Sequence, residues 1–290
     1  MSNRLSILFL VGPGLAIFLF MIGIPVIMSV YYGATNWSGI GQYEFVGLQN
    51  FIDILTKDPV FWKGLWHAAL LAALTVILQH PIAILISILL TYCGKLEKFF
   101  AAIFFIPAVI SVVVTSKLWV SIFHPTYGLV NKALDVFHLS FLKHNWLGDP
   151  STAIWCIILV VMWQGFGYAL LLYHSGLQGI PESMKEAAML DGANQFQLYT
   201  KVIIPLLFPV MRVAIVLAVV TCLKQMETIF LMTGGGPGDS TEFLGNYLYK
   251  TAFSSSLYGY GNAISVLFVV FCLILTVILN KTLKKDVGEY

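Results

Sequence analysis

Among the charged side chains inside long apolar runs, Lys117, Lys224 and Glu227 are the candidates for chemistry. A charge within a membrane span is expensive, and it faces the bundle interior, a partner or a water-filled path. Lys224 and Glu227 stand three residues apart, the spacing of an ion pair on one helix face. All three are candidate charges of a polar pathway. Other chemistries find less material. The six histidines, at 67, 80, 124, 138, 144 and 174, show no HExxH or similar pairing, so no metal site is expected. Cys93, Cys156, Cys222 and Cys272 lack CxxC spacing and lie in or at the ends of apolar runs, as buried small hydrophobes do. No GxxxxGK[ST] phosphate loop occurs, so neither ATP nor any other cofactor is expected on this chain.

A second group of residues stands out by contrast. "EAAMLDGANQFQLYTKVIIP", 186–205, is small and polar between two very apolar stretches. Pro181 and Glu182 suit a first helical turn. Met184, Ala187, Ala188 and then Leu190 or Asp191 recur at helical spacing and make a small apolar face. Gly192 suits a helix C-terminus. Asn194 suits the N-cap of a second short helix, and Pro205 marks a turn into the next span. Glu182, Glu186 and Asp191 outnumber Lys185, whereas a helix lying on lipid carries Lys and Arg. The segment fits a plug for a cleft in a soluble partner, or an ordinary amphipathic connector.

The elements that position these residues follow from composition. Of 290 residues 59% are hydrophobic and 10% charged, against about 25% charged in a soluble domain. The continuous apolar runs indicate an all-α polytopic membrane protein, one domain over 1–290. A span needs about 20 apolar residues. Six transmembrane helices are predicted, near 5–33, 64–93, 99–123, 151–176, 203–232 and 261–281, with a loop at 177–202. The N-terminal run is read as a retained first span. Lys and Arg favour the cytoplasm. Arg4, Lys95, Lys98, Lys185, Lys201, Lys281, Lys284 and Lys285 outnumber Lys57, Lys63, Lys132, Lys143 and Lys250 on the other side. Both termini and the loop 177–202 are therefore expected in the cytoplasm. The net charge of +2 gives no reason to expect nucleic acid.

The loop resembles the EAA loop of ABC-importer permeases: E-A-A, three residues, Gly, nine residues, I-x-L-P. Here it reads Glu186-Ala187-Ala188, Gly192 and Val202-Ile203-Ile204-Pro205. Val for Ile and Ile for Leu are the departures. "LMTGGGPGDSTEFLGNYLYKTAF", 231–253, resembles the outer loop of sugar permeases of the maltose and glycerol-3-phosphate type, in the first of their two permease subunits, and "IPAVIS", 106–111, fits as well. The resemblance implies the type I importer permease fold in a compact six-span form in the bacterial cytoplasmic membrane. It implies a second permease, two cytoplasmic ATPase subunits that hold ATP and Mg, and an extracytoplasmic sugar-binding protein, all beside membrane lipid. Glu186, Ala187, Ala188, Asp191 and Gly192 then couple to the ATPase. Carried over by position, the pathway residues are Ala108 and Val112, then Val161, Gln164, Gly165 and Tyr168, then Ala218, Cys222 and Gln225. Amides and a phenol suit sugar hydroxyls. The small walls suggest an oligosaccharide. Arg212 is expected to snorkel to headgroups, and Trp119 and Trp163 to pack.

Two rivals remain. "GPGD", 236–239, has the form of an intramembrane aspartyl protease motif, which needs a second buried carboxylate. Every Asp falls in a loop or tail, and Glu227 is the one well-buried acid expected. An ion-coupled secondary transporter, working without an ATPase, would need buried acids and internal repeats that the sequence does not display.

Overall fold

The computed structural model describes residues 4–283, and the tail lysines Lys284 and Lys285 lie outside them. Among the described residues the chain is helical, with one isolated bridge between Thr35 and Phe45 and no strand. In order come α1 (Leu10–Gly33), α2 (Gln49–Lys57), α3 (Pro59–Thr91), α4 (Gly94–Val109), α5 (Val112–Ile122), α6 (Leu129–Val136), α7 (Pro150–Gln178), α8 (Glu182–Leu190), α9 (Gln195–Leu223), α10 (Glu227–Met232), α11 (Leu244–Tyr249) and α12 (Tyr258–Thr282). α1, α3, α7, α9 and α12 are each long and apolar enough to cross a membrane. This is an all-α polytopic membrane protein.

Two expected spans are interrupted. The run 99–123 is split into α4 and α5, whose axes meet at 93°. Pro107 sits near the end of α4, and Ile110 and Ser111 are extended, with ψ of 135° and 136°. The run 203–232 ends as a helix at Leu223, and Met226 at φ −140° separates α9 from α10. α9 also starts earlier than expected, at Gln195. Pro205 therefore does not turn the chain. A π turn, Leu198–Ile203, precedes it, and the same pairing recurs as Leu19–Gly23 before Pro25 and Thr75–Gln79 before Pro81. Proline has no N–H and its ring meets the carbonyl four residues back. The wider i→i+5 turn takes up that defect, so the helix continues.

The chain divides into two compact units. In the unit Met1–Trp62 with Tyr247–Leu273, Gly33 lies so close to α12 that a Cβ would sit 3.1 Å from the Ala263 nitrogen. Asp58 is its polar anchor. It is 9% exposed and accepts from the Val60 and Phe61 N–H groups, both at 3.0 Å, and from the Tyr247 and Tyr260 hydroxyls at 2.5 and 2.9 Å.

The unit Lys63–Asn246 with Ile274–Tyr290 has a core built from α3, α7 and α9. Ala83, Ile84, Ala169, Tyr173, Leu177, Leu207 and Ala214 are its buried members along these helices. Asp149 caps α7 by accepting the Ser151 N–H at 2.9 Å and its hydroxyl at 2.7 Å, and these bonds hold its carboxyl below the usual carboxylate range. α4 presses on α7 at Gly167, where a Cβ would lie 2.9 Å from the Phe104 carbonyl oxygen and 2.9 Å from Phe105 Cα.

That contact is backbone against backbone and cannot yield by a rotamer change. Gly167→Val is expected to destabilise this unit by about 1–3 kcal/mol. Thermal unfolding of the detergent-purified protein reads the loss. Gly165→Ala, whose Cβ would meet Gln79 at 3.5 Å, is expected to melt with the wild type.

Candidate functional site

A cavity of about 650 Å³ opens among the helices of the Lys63–Asn246 unit. α7 gives it Val161, Gln164, Gly165 and Tyr168, and the break after α4 gives Ala108 and Val112. α9 and the break beyond it add Ala218, Cys222, Gln225 and Glu227. The structure thus brings all the expected pathway positions of three different spans to one wall system. It also brings a set that sequence reasoning missed: Thr75, Gln79 and His80 of α3. The available signal was a polar series at i, i+4 and i+5 in an otherwise apolar run.

Three of the polar wall residues have a second occupation. Gln164 Nε2 donates to the Ile110 carbonyl at 3.0 Å, and the Tyr168 hydroxyl donates to the Ala108 carbonyl at 3.1 Å. Both carbonyls belong to the end of α4, where no helical partner remains. Gln225 Nε2 donates to Thr228 Oγ1 at 3.0 Å across the gap between α9 and α10. Each keeps an oxygen able to accept from a ligand. Thr75 Oγ1 and Cys222 Sγ lie 3.5 Å apart. Gln79 is buried on the π turn, and His80 Nδ1 pairs with the Tyr173 hydroxyl while His80 Nε2 is buried with no hydrogen-bond partner.

The charged candidates separate. Glu227 lines the cavity and is exposed there, whereas Lys117 and Lys224 are exposed elsewhere and do not line it. Among the described residues no ion pair joins Lys224 to Glu227. Their spacing would pair them only on a continuous helix, and the helix ends between them. Glu227 is also not the well-buried acid expected. Asp58 is 9% exposed and Glu242 fully buried. Glu242 lies in the segment after α10, where its carboxylate accepts from Asn246 Nδ2 at 2.5 Å and its carbonyl meets His67 Nδ1 at 2.8 Å. Arg212 is tied inward: its guanidinium donates to the Asn280 carbonyl at 3.2 Å and side-chain oxygen at 3.1 Å. Trp119 and Trp163 pack edge to face with centroids 5.4 Å apart.

The loop between α7 and α9 is compact and exposed. Pro181 precedes α8 in an extended conformation, at the N-cap and not inside the first turn. Lys185 Nζ lies 2.7 Å from Glu182. Asp191 ends the helix, Gly192 turns the chain at φ +84°, and the Ala193 N–H returns to the Ala188 carbonyl at 3.0 Å. Asn194 and Gln197 then form a reciprocal capping box that opens α9. Ala188 packs toward the core, while Glu186 and Ala187 face outward. Leu190 and Phe196 are 89% and 76% exposed; the sequence named Leu190 for the apolar face but did not single out Phe196. A Cβ on Gly192 would meet no atom within 4 Å, so its need for glycine comes from φ and not from a crowded joint. Beneath the loop, Glu97 Oε1 at the start of α4 takes His174 Nε2 at 2.9 Å and Gln178 Nε2 at 2.8 Å from the end of α7.

Residues 81–285 match the family described as binding-protein-dependent transport system inner membrane component. The chain is 35% identical over 269 residues to a probable ABC transporter permease protein of Pyrococcus horikoshii, covering 92% of this chain and 91% of that one. It is 35% identical over 264 residues to the multiple sugar-binding transport system permease protein MsmF of Streptococcus mutans, covering 90% and 89%. Its fold matches a chain of a bacterial alginate ABC transporter, solved in complex with an alginate pentasaccharide-bound periplasmic protein, at TM-score 0.83 and 21% identity, over 97% of this chain and 94% of that one. The chain belongs to the binding-protein-dependent transport system inner membrane components, the permeases of ABC transporters.

The Gln164 bond predicts a stability effect separate from any ligand. Gln164→Leu leaves the Ile110 carbonyl without its donor, and a loss of about 1–3 kcal/mol is expected in thermal unfolding of the purified protein. Ala218→Ser, on the same cavity but holding no break, is expected to change stability by no more than about 0.5 kcal/mol.

Proposed function

We propose that this chain is one of two permease subunits in an ATP-driven importer of carbohydrate, with an oligosaccharide as cargo. The observation that carries the reading is the course of α7 and α9. Both line the cavity, and both run directly into the exposed loop that holds Glu186-Ala187-Ala188 and Gly192. A push on α8 is thereby delivered to two cavity walls through continuous helices. The carbohydrate assignment draws on the sugar permease named above and on the amides and hydroxyls of the cavity.

In this cycle ATP and Mg are bound by two cytoplasmic ATPase subunits, where hydrolysis takes place. Leu190 and Phe196 seat in a cleft of one of them, with the acidic rim of α8 around the contact. Closing of the ATPase dimer moves α8 and opens the cavity outward. An extracytoplasmic binding protein releases sugar into it, and hydrolysis restores the inward-facing form. A homologous second permease supplies the other half of the pathway, and lipid of the cytoplasmic membrane surrounds the pair. Both termini and α8 lie on the cytoplasmic side.

The test is affinity purification of the tagged chain in mild detergent, followed by mass spectrometry and assay of transport in proteoliposomes. Wild type is expected to bring a second permease and an ATPase. Glu186→Lys with Gly192→Asp is expected to lose the ATPase and keep the permease. Gly192→Asp alone puts a Cβ at φ +84° and is expected to lower both uptake and binding-protein-stimulated ATP hydrolysis at least about tenfold. If the chain is recovered alone, or with the same partners in both forms, a self-contained transporter becomes the better account.

A further inference from the structure

The cavity wall has a pronounced charge asymmetry. Among the described residues Glu227 is the one carboxylate that lines it, and no Lys or Arg does. Among the described residues no ion pair neutralises Glu227, and the other polar walls are the amides of Gln79, Gln164 and Gln225, threonine hydroxyls, Tyr168 and His80. Glu227 stands at the start of α10, beyond the break that follows α9, so its carboxylate reaches the cavity without being buried in the core.

We infer that the cavity filters its cargo by charge, admitting uncharged glycans and rejecting those that carry carboxylates. The inference rests on the carbohydrate reading above. A carboxylate is an acceptor only, and its two oxygens can take a pair of neighbouring sugar hydroxyls. Amides and hydroxyls both donate and accept, so they adapt to a polyol without demanding charge. A uronate in the same place would set two negative charges a few ångströms apart in a partly enclosed space, where repulsion is poorly screened. A site for acidic glycans would present Arg or Lys forks to their carboxylates, and these walls offer none. Selection would then occur twice along the route, once in the binding protein and again here.

The experiment uses the assembled transporter, purified with its second permease and ATPase subunits but without the binding protein. Equilibrium dialysis compares matched tetrasaccharides: glucose with glucuronate, galactose with galacturonate, and mannose with mannuronate. The neutral member of the best-bound pair is expected to bind at least about tenfold tighter than its uronate at low salt. The preference is expected to shrink as salt is raised, because screening reduces the repulsion. Glu227→Gln, which keeps the shape and removes the charge, is expected to bring the pair within about threefold, and Glu227→Lys to reverse the order. Equal binding of both members by wild type, or an unchanged ratio in Glu227→Gln, overturns the charge filter alone. Binding of none of the six by an intact assembly overturns the carbohydrate reading and this inference with it.

Discussion

Within lipid every backbone N–H and C=O needs a partner from the protein, and the structure is organised around the places where the helical ladder fails to provide one. Of the prolines that remove a donor from a long helix, Pro25, Pro81 and Pro205 each follow a π turn that keeps the helix running. At two other places the helix stops altogether: between α4 and α5, and between α9 and α10. At the first break Gln164 and Tyr168 reach across from α7 to backbone carbonyls at the end of α4; at the second, Gln225 and Thr228 join side chain to side chain across the gap. Broken backbone in a membrane protein belongs where protein or a water-filled cavity surrounds it, and both breaks lie on the cavity wall.

This coincidence links packing to function. The side chains that bond across the breaks also line the cavity, so a ligand bound there would compete for groups that hold the helix segments together. Gly167 lets α4 sit against α7 closely enough for those bonds to form. At the far end of α7, Glu97 joins His174 and Gln178, which anchors the start of α4 just before the chain enters α8. The cavity and the exposed loop therefore lie in one compact unit and are joined through α4, α7 and α9. Glycine at 192 has a different task. It turns the chain at a positive φ in open space and leaves Leu190 and Phe196 bare.

Much of this was legible in the sequence, the pathway positions through its resemblance to ABC-importer permeases. The EAA–Gly spacing located the loop, and helical spacing placed Ala218, Cys222 and Gln225 on one face. Gln164, Gly165 and Tyr168 reached the same cavity by position in the motif frame. The reading of Lys224 and Glu227 as an ion pair failed because it assumed that an apolar run is one helix. Nothing local marks the stop at Leu223, since Lys224 and Gln225 are good helix formers. Glu242 was read as a loop residue and is fully buried, because burial of a loop depends on what folds over it.

The sequence by itself determined the class of molecule: apolar runs of membrane length leave no alternative to helices, and a polar, acidic, glycine-hinged loop stands out between two of them. Tertiary structure alone decided which polar groups share a space. Thr75, Gln79 and His80 lie far from α7 and α9 along the chain, and only helix packing places them across one cavity. It also decided which charge faces that cavity, keeping Glu227 and excluding Lys117 and Lys224. Periodicity reports which face of a helix a residue occupies, but not where the helix breaks or what stands opposite, and those two facts set the chemistry of the wall.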